Sequence, residues 1–173
     1  SVAALPTNQE LDGKGDYGPQ ARVISKGLRL LRARIAKSKI MLVCINQVRE
    51  KMNVLYGDAT DTPGGRALKF YAGIRLQTSS GGKLRGKDLN PFGFDFRADD
   101  IVGVVSRMDC VKNKIVNPFR SSWGVALFKT GFHPALSTFW SMRNLKMLSS
   151  KSKTYTIKGT KLSFTKADFL DFF

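Results

Sequence analysis

The chain has 173 residues, with 29 Lys and Arg against 13 Asp and Glu, for a formal net charge of +16. A hydrophobic content of 42% supports one domain, or slightly more, with a genuine core and excludes a wholly disordered chain. The charge makes a polyanion the leading partner class, with a domain carrying merely solvated basic faces as the plain alternative. An anionic membrane is disfavoured, since the sequence has no signal-peptide pattern, no apolar run of bilayer length and no long basic amphipathic helix with a Trp-rich face.

Ser1–Leu5 (SVAAL) is small and apolar and reads as the end of a buried strand. A chain that opens there on Ser is expected to be a fragment or a processed half. Residues 6–19 are polar and Gly-rich, hence a loop. Its aromatic, Tyr17, is either incidental or a side chain that stacks on or wedges between bases. Pro19 suits a first helical turn. Residues 20–37 then have helical periodicity, with Ile24, Leu28, Leu31 and Ile35 on one face and Arg22, Lys26 and Arg29 on another. A solvated face is the plain reading of those cations, and the total charge favours a row of phosphate contacts.

Ile40–Ile45 is short and continuously apolar, and is expected to be a buried parallel strand of a βαβ unit. Asn46 and Gln47 then stand at its carboxyl end, where such sheets gather ligands. Beyond them lies a long segment rich in Gly, Asp, Thr and Pro that closes on Gly64-Gly65. Loops of that length are uncommon inside domains and are usually functional or disordered.

Phe70–Thr78 has strand character. Ser79–Asp100 reads as a hairpin-like excursion whose Phe92, Phe94 and Phe96 pack back on the body rather than form a partner patch. Ile101–Met108 and Cys110–Val116 read as one strand carrying Lys112 and Lys114, and Trp123–Lys129 as another. A helix is expected after Pro134, with Phe139, Met142 and Leu145 on its core face. Residues 150–166 are basic and β-like. The two cysteines, Cys44 and Cys110, are expected as small buried hydrophobes in a reducing compartment. His133 has no ligand spacing around it, so no metal site is expected.

Four blocks, SVAAL, INQVREKM, the loop ending TPGGRALKFYAGIRL, and VKNKIVNPF, stand in the order seen in RecA-family homologous recombinases, and the chain resembles that family. The resemblance runs from Ser1 to Leu76 and resumes at Val111–Phe119. The Ser79–Asp100 segment and the short first loop are more similar to a bacteriophage recombinase. The implied fold is α/β: a partial RecA-like P-loop NTPase core over 1–130, its mixed sheet having parallel strands followed by antiparallel ones, and a small basic C-terminal region over 131–173.

The resemblance implies a part of a DNA-dependent ATPase that forms filaments on single-stranded DNA and promotes homologous pairing and strand exchange in recombination and repair. A non-catalytic single-strand-binding or filament-modulating module is the alternative. GxxxxGK[ST] does not occur in the sequence, so the chain is not expected to hydrolyse ATP alone. ATP and Mg²⁺ are implied for the complete enzyme. Implied partners are single- and double-stranded DNA, and further subunits or a chain supplying the P-loop half, in bacterial or phage-infected cytoplasm. Gln47 matches the γ-phosphate sensor. Arg49, Lys51, Met52, Gly64, Gly65 and Arg66 match the second DNA-binding loop, and Tyr17 stands in the first. Arg22, Ser25 and Arg29 match backbone-contacting positions of the helix after it. Lys112 and Lys114 match lysines that reach ATP on a neighbouring subunit, and Lys69 and Phe70 match interface positions.

Overall fold

A computed structural model describes residues 18–50, 60–62 and 65–172. The expectations placed on Ser1–Leu5, Tyr17, Lys51, Met52 and Gly64 lie outside the described residues. The chain divides into two compact units, 1–72 and 73–173.

In the first unit the expected helix forms as α1, Gly18–Ser38, with Pro19 in its first turn. Ile24, Leu28 and Ile35 are half-buried along one face, and Leu31 remains 44% exposed. Lys39 takes a left-handed φ of 51° just past the helix end. A two-residue antiparallel ladder follows, β1 (Arg49–Glu50) with β2 (Thr60–Asp61). The unit closes with the short helix α2, Ala67–Tyr71.

Ile40–Ile45 is not the expected buried parallel strand. It forms no ladder, and its side chains are exposed, Met41 at 84% and Ile45 at 73%. Cys44 is likewise exposed rather than buried. Apolar composition favours burial, but a strand also needs neighbours for its backbone groups, and the described part of this unit offers only the two-residue ladder. Every strand pairing among the described residues is antiparallel. The Phe70–Thr78 strand is also displaced. Its first residues belong to α2, where the Phe70 N–H donates to the Arg66 carbonyl at 3.0 Å, and the strand starts only at Ile74.

The second unit is built on a long hairpin. β3 (Ile74–Arg85) pairs with β4 (Ile101–Asn113) from Ile74 opposite Asn113 to Arg85 opposite Ile101. Residues 86–100 connect them through α3 (Gly86–Leu89) and a 3₁₀ turn, Asn90–Phe92. The Asn90 amide clamps this connection, donating to the Phe96 carbonyl at 2.9 Å and accepting from the Phe96 N–H at 3.1 Å. Phe92 is buried, and Phe94 and Phe96 pack partly buried against the same core, so these rings do turn back on the body.

β5 (Ser121–Leu127) extends the sheet beside β4, and β6 (Gly131–Phe132) pairs only with its end. The rest of the β5 edge is covered by the helix α4, Pro134–Asn144. Two serines one turn apart make that seam. The Val125 N–H donates to Ser137 Oγ at 2.9 Å, and the Trp123 N–H donates to Ser141 Oγ at 2.9 Å. Bonded edge groups cannot recruit another strand. His133 is the N-cap, its Nδ1 accepting from the Leu136 N–H at 3.4 Å. Phe139 and Met142 face the core as expected, whereas Leu145 lies just past the helix end and is 47% exposed.

A meander of β7 (Leu148–Lys151), β8 (Thr154–Ile157) and β9 (Ser163–Thr165) leads into α5, Lys166–Phe169. A Thr165–Asp168 capping box starts α5. These elements meet at Phe139, with rings of Phe92, Tyr155 and Phe169 around it. Ser137→Ala strands the Val125 N–H in this core and is expected to cost about 1–3 kcal/mol. Gly103→Ala, whose new Cβ would collide with the Ala126 carbonyl, is expected to cost at least as much. Urea unfolding of both variants checks this, and a neutral Ser137→Ala would show that the seam carries no stability.

Candidate nucleic-acid interface

Positions 22, 25, 26 and 29 fall on one face of a helix with 3.6 residues per turn. On α1 they place Arg22, Ser25, Lys26 and Arg29 together, and with Ala21 and Tyr71 they line an open hollow of about 410 Å³. Arg22, Lys26 and Arg29 are exposed and Ser25 is half-buried. Gly65 shows how closely the turn into α2 approaches α1. Its φ is +70°, and a Cβ there would lie 3.0 Å from Ala21 Cβ, so the turn into α2 sits tight against the first turn of α1. Arg66 follows, exposed, at the N-cap of α2.

Phe70 is 70% exposed and stands edge-on to Tyr71, centroids 5.4 Å apart, while Lys69 is half-buried. Gln47 is exposed, its N–H donating to Asn46 Oδ1 at 2.9 Å. Arg49 begins β1, opposite Asp61. The structure thus gathers Arg22, Ser25 and Arg29 in one place, and adds Lys26 and Tyr71, which the resemblance did not single out. Lys26 was visible from its helical spacing, whereas Tyr71 is remote in sequence and joins only through the fold.

The second unit carries another cationic group, at the open end of the β3–β4 hairpin. Arg75 lies directly opposite Lys112. Lys114 follows the end of β4, its N–H donating to the Gly73 carbonyl at 3.0 Å. Asn113 Oδ1 fixes this corner by accepting from the N–H groups of Ile115 and Val116 at 2.8 and 3.1 Å. Burial, then the charges of Lys114 and Arg75, hold the Lys112 amine below the ordinary lysine range. Arg75 was not among the expected site residues, and only strand register reveals it.

Three clustered cations fit a polyphosphate such as that of ATP. For Mg²⁺ the described residues offer no cluster of His, Cys, Asp or Glu able to hold a metal. Asp109 is engaged elsewhere. The Ser121 hydroxyl and the Arg107 guanidinium donate to it, and together they outweigh burial and hold its carboxyl below the usual range. Among the described residues no helix is long and apolar enough to cross a membrane.

These features define a mixed α/β protein with a cationic helix face in its first unit and a cationic hairpin end in its second. The family model of the RecA N-terminal domain matches residues 1–133. Protein RecA of Streptococcus agalactiae serotype III (strain NEM316) is 34% identical over 165 residues, covering 94% of this chain and 42% of its own length. Protein RecA of Borrelia turicatae (strain 91E135) is 37% identical over 165 residues, covering 94% and 43%. Protein RecA of Thermus thermophilus is 44% identical over 137 residues, covering 78% and 37%. The chain belongs to the RecA family, and it spans about two fifths of the length of these relatives.

Removing one cation from the hairpin end relieves repulsion on the others. Arg75→Ala is therefore expected to raise the Lys112 pKa toward that of an ordinary lysine, read by NMR titration of the lysine side chains. An unchanged Lys112 titration would remove Arg75 from the cluster.

Proposed function

We propose that this chain is the C-terminal portion of a RecA-type ATPase core, residues 1–130, with a small basic region over 131–173. In this reading it is part of a DNA-dependent recombinase that assembles as filaments on single-stranded DNA and pairs it with duplex DNA in recombination and repair. The carrying observation is the face of α1, where Arg22, Ser25, Lys26 and Arg29 converge on one hollow in a chain of this family.

The residues divide the work. Arg22, Ser25 and Arg29, with Tyr17, Arg49, Lys51, Met52, Gly64, Gly65 and Arg66, grip the strand mainly through its backbone, leaving sequence to be read by base pairing. Lys112 and Lys114, with Arg75 beside them, neutralise the triphosphate of ATP bound to a neighbouring subunit. Gln47 would hydrogen-bond a terminal phosphate and order the segment 49–66, an order–disorder switch. Lys69 and Phe70 face the next subunit. ATP with Mg²⁺ supplies the hydrolysable phosphate in the complete enzyme, and the P-loop that holds it lies outside these 173 residues, in which GxxxxGK[ST] does not occur. The alternative reading is a non-catalytic module that binds single strands or modulates filaments.

Binding and ATPase assays separate the two. The chain alone is expected to bind single-stranded DNA at low salt and not to hydrolyse ATP. Mixing it with a chain carrying the P-loop half restores hydrolysis under the first reading and not under the second, and absent DNA binding at low salt sinks both. Lys51→Ala with Arg66→Ala is expected to flatten the logarithmic salt dependence by about 0.7 per lost phosphate contact. In the reconstituted enzyme, Gln47→Ala is expected to keep nucleotide binding while DNA affinity stops rising with ATP. A rise that persists places the switch elsewhere.

A further inference from the structure

Resting on that reading, we propose that the hollow on α1 takes a whole nucleotide step of the single strand, with Tyr71 as the platform on which a base stacks and Lys26 as an added phosphate contact.

The hollow has two chemically different walls. One is the row Arg22, Ser25, Lys26 and Arg29, made of three cations and a hydroxyl, and the other includes Tyr71. Arg22 to Arg29 spans about 10 Å along the helix axis at 1.5 Å per residue, more than a single phosphate occupies. The volume, about 410 Å³, falls within the range of roughly 300–1,000 Å³ typical of small-ligand pockets. A wall of cations alone would suit a bare phosphate backbone. An aromatic residue lining the same space suits a π-face, and every base presents one, so such a contact tolerates any sequence.

Tyr71 is also held in place, as a platform must be. Gly65 packs on Ala21 at the start of the segment that carries it. Phe70 braces the ring edge-on, with an interplanar angle of 85°. Tyr71 is half-buried, so part of the ring is covered while it still lines the hollow.

The test uses fluorescence anisotropy of the full chain with two labelled oligonucleotides of equal length, oligo-dT and an abasic strand with the same backbone. The wild type is expected to prefer oligo-dT. Tyr71→Leu should lose about 5- to 100-fold on oligo-dT, change little on the abasic strand and keep the same salt slope. Tyr71→Phe should retain the preference. Lys26→Ala should weaken both strands alike and lower the salt slope by about 0.7. Equal binding of the two strands by the wild type overturns the stacking role, even should Tyr71→Leu fail to fold. So does a Tyr71→Leu variant, folded by circular dichroism, that keeps the preference for oligo-dT. An unchanged slope in Lys26→Ala overturns the phosphate contact. A wild type that binds neither strand at low salt instead overturns the reading of the chain as a DNA-binding recombinase part.

Discussion

The second unit depends on one side chain. Phe139 is fully buried, and rings from four other positions lie across it at angles of 67–84°: Phe92 at 4.9 Å, Tyr155 at 5.2 Å, Phe169 at 5.4 Å and Trp140 at 5.6 Å. Such steep arrangements set ring edge against ring face, which the quadrupoles favour by about 0.5–1.5 kcal/mol per pair beyond area burial. Phe92 comes from the hairpin connection, Tyr155 from the meander and Phe169 from α5, so one residue of α4 joins three otherwise separate stretches of chain. The β3–β4 hairpin is thereby anchored at its connection, through Leu84, Leu89 and Phe92. Its opposite end, with Ile74, Leu76 and Ile115 exposed, carries Arg75, Lys112 and Lys114 away from the core.

Positive charge is the competing constraint. Between Asp109 and Asp168 the sequence contains no acidic residue at all. Cations in that stretch are accommodated by exposure and by aromatic faces. Lys166 shows the second route. Its ammonium lies over Phe92 at 5.3 Å and Phe139 at 6.0 Å, and burial, then Arg143, lower its pKa although Asp88 acts in the opposite direction. A lysine whose folded-state pKa lies below its unfolded value opposes folding while both states are protonated, and that opposition fades as the pH rises through the folded value to the unfolded one. Lys112 is in the same position for the same first cause. An anion bound beside such a lysine would act the other way, restoring the charged form.

Periodicity revealed elements whose neighbours are close in sequence. The amphipathic spacing of α1, the apolar β4 and β5, and the helix opened by Pro134 were all legible, because each needs only its own pattern and an adjacent hairpin or cap. Residues 70–73 misled because FYAGIRL, 70–76, has β-type side chains, yet Arg66 and Leu68 supply the carbonyls that close helical turns with Phe70 and Ala72. The cationic row on α1 was readable as charge at helical spacing. Tyr71 and Arg75 were not, since one reaches the hollow by packing of α2 on α1 and the other meets Lys112 only through strand register. Site residues drawn from one element are visible in sequence, and those contributed by a second element are not.

Ile40–Ile45 carries this lesson furthest. Burying one aliphatic side chain of its kind stabilises a fold by about 1.5–3 kcal/mol, so six consecutive apolar residues left in water mark a large unmet driving force. A β-strand satisfies that drive only beside other strands, because its backbone N–H and C=O groups must be paired before its side chains can be buried. The polar pair Asn46-Gln47 is attached directly to this segment. Its position is therefore set by whether Ile40–Ile45 finds strand neighbours.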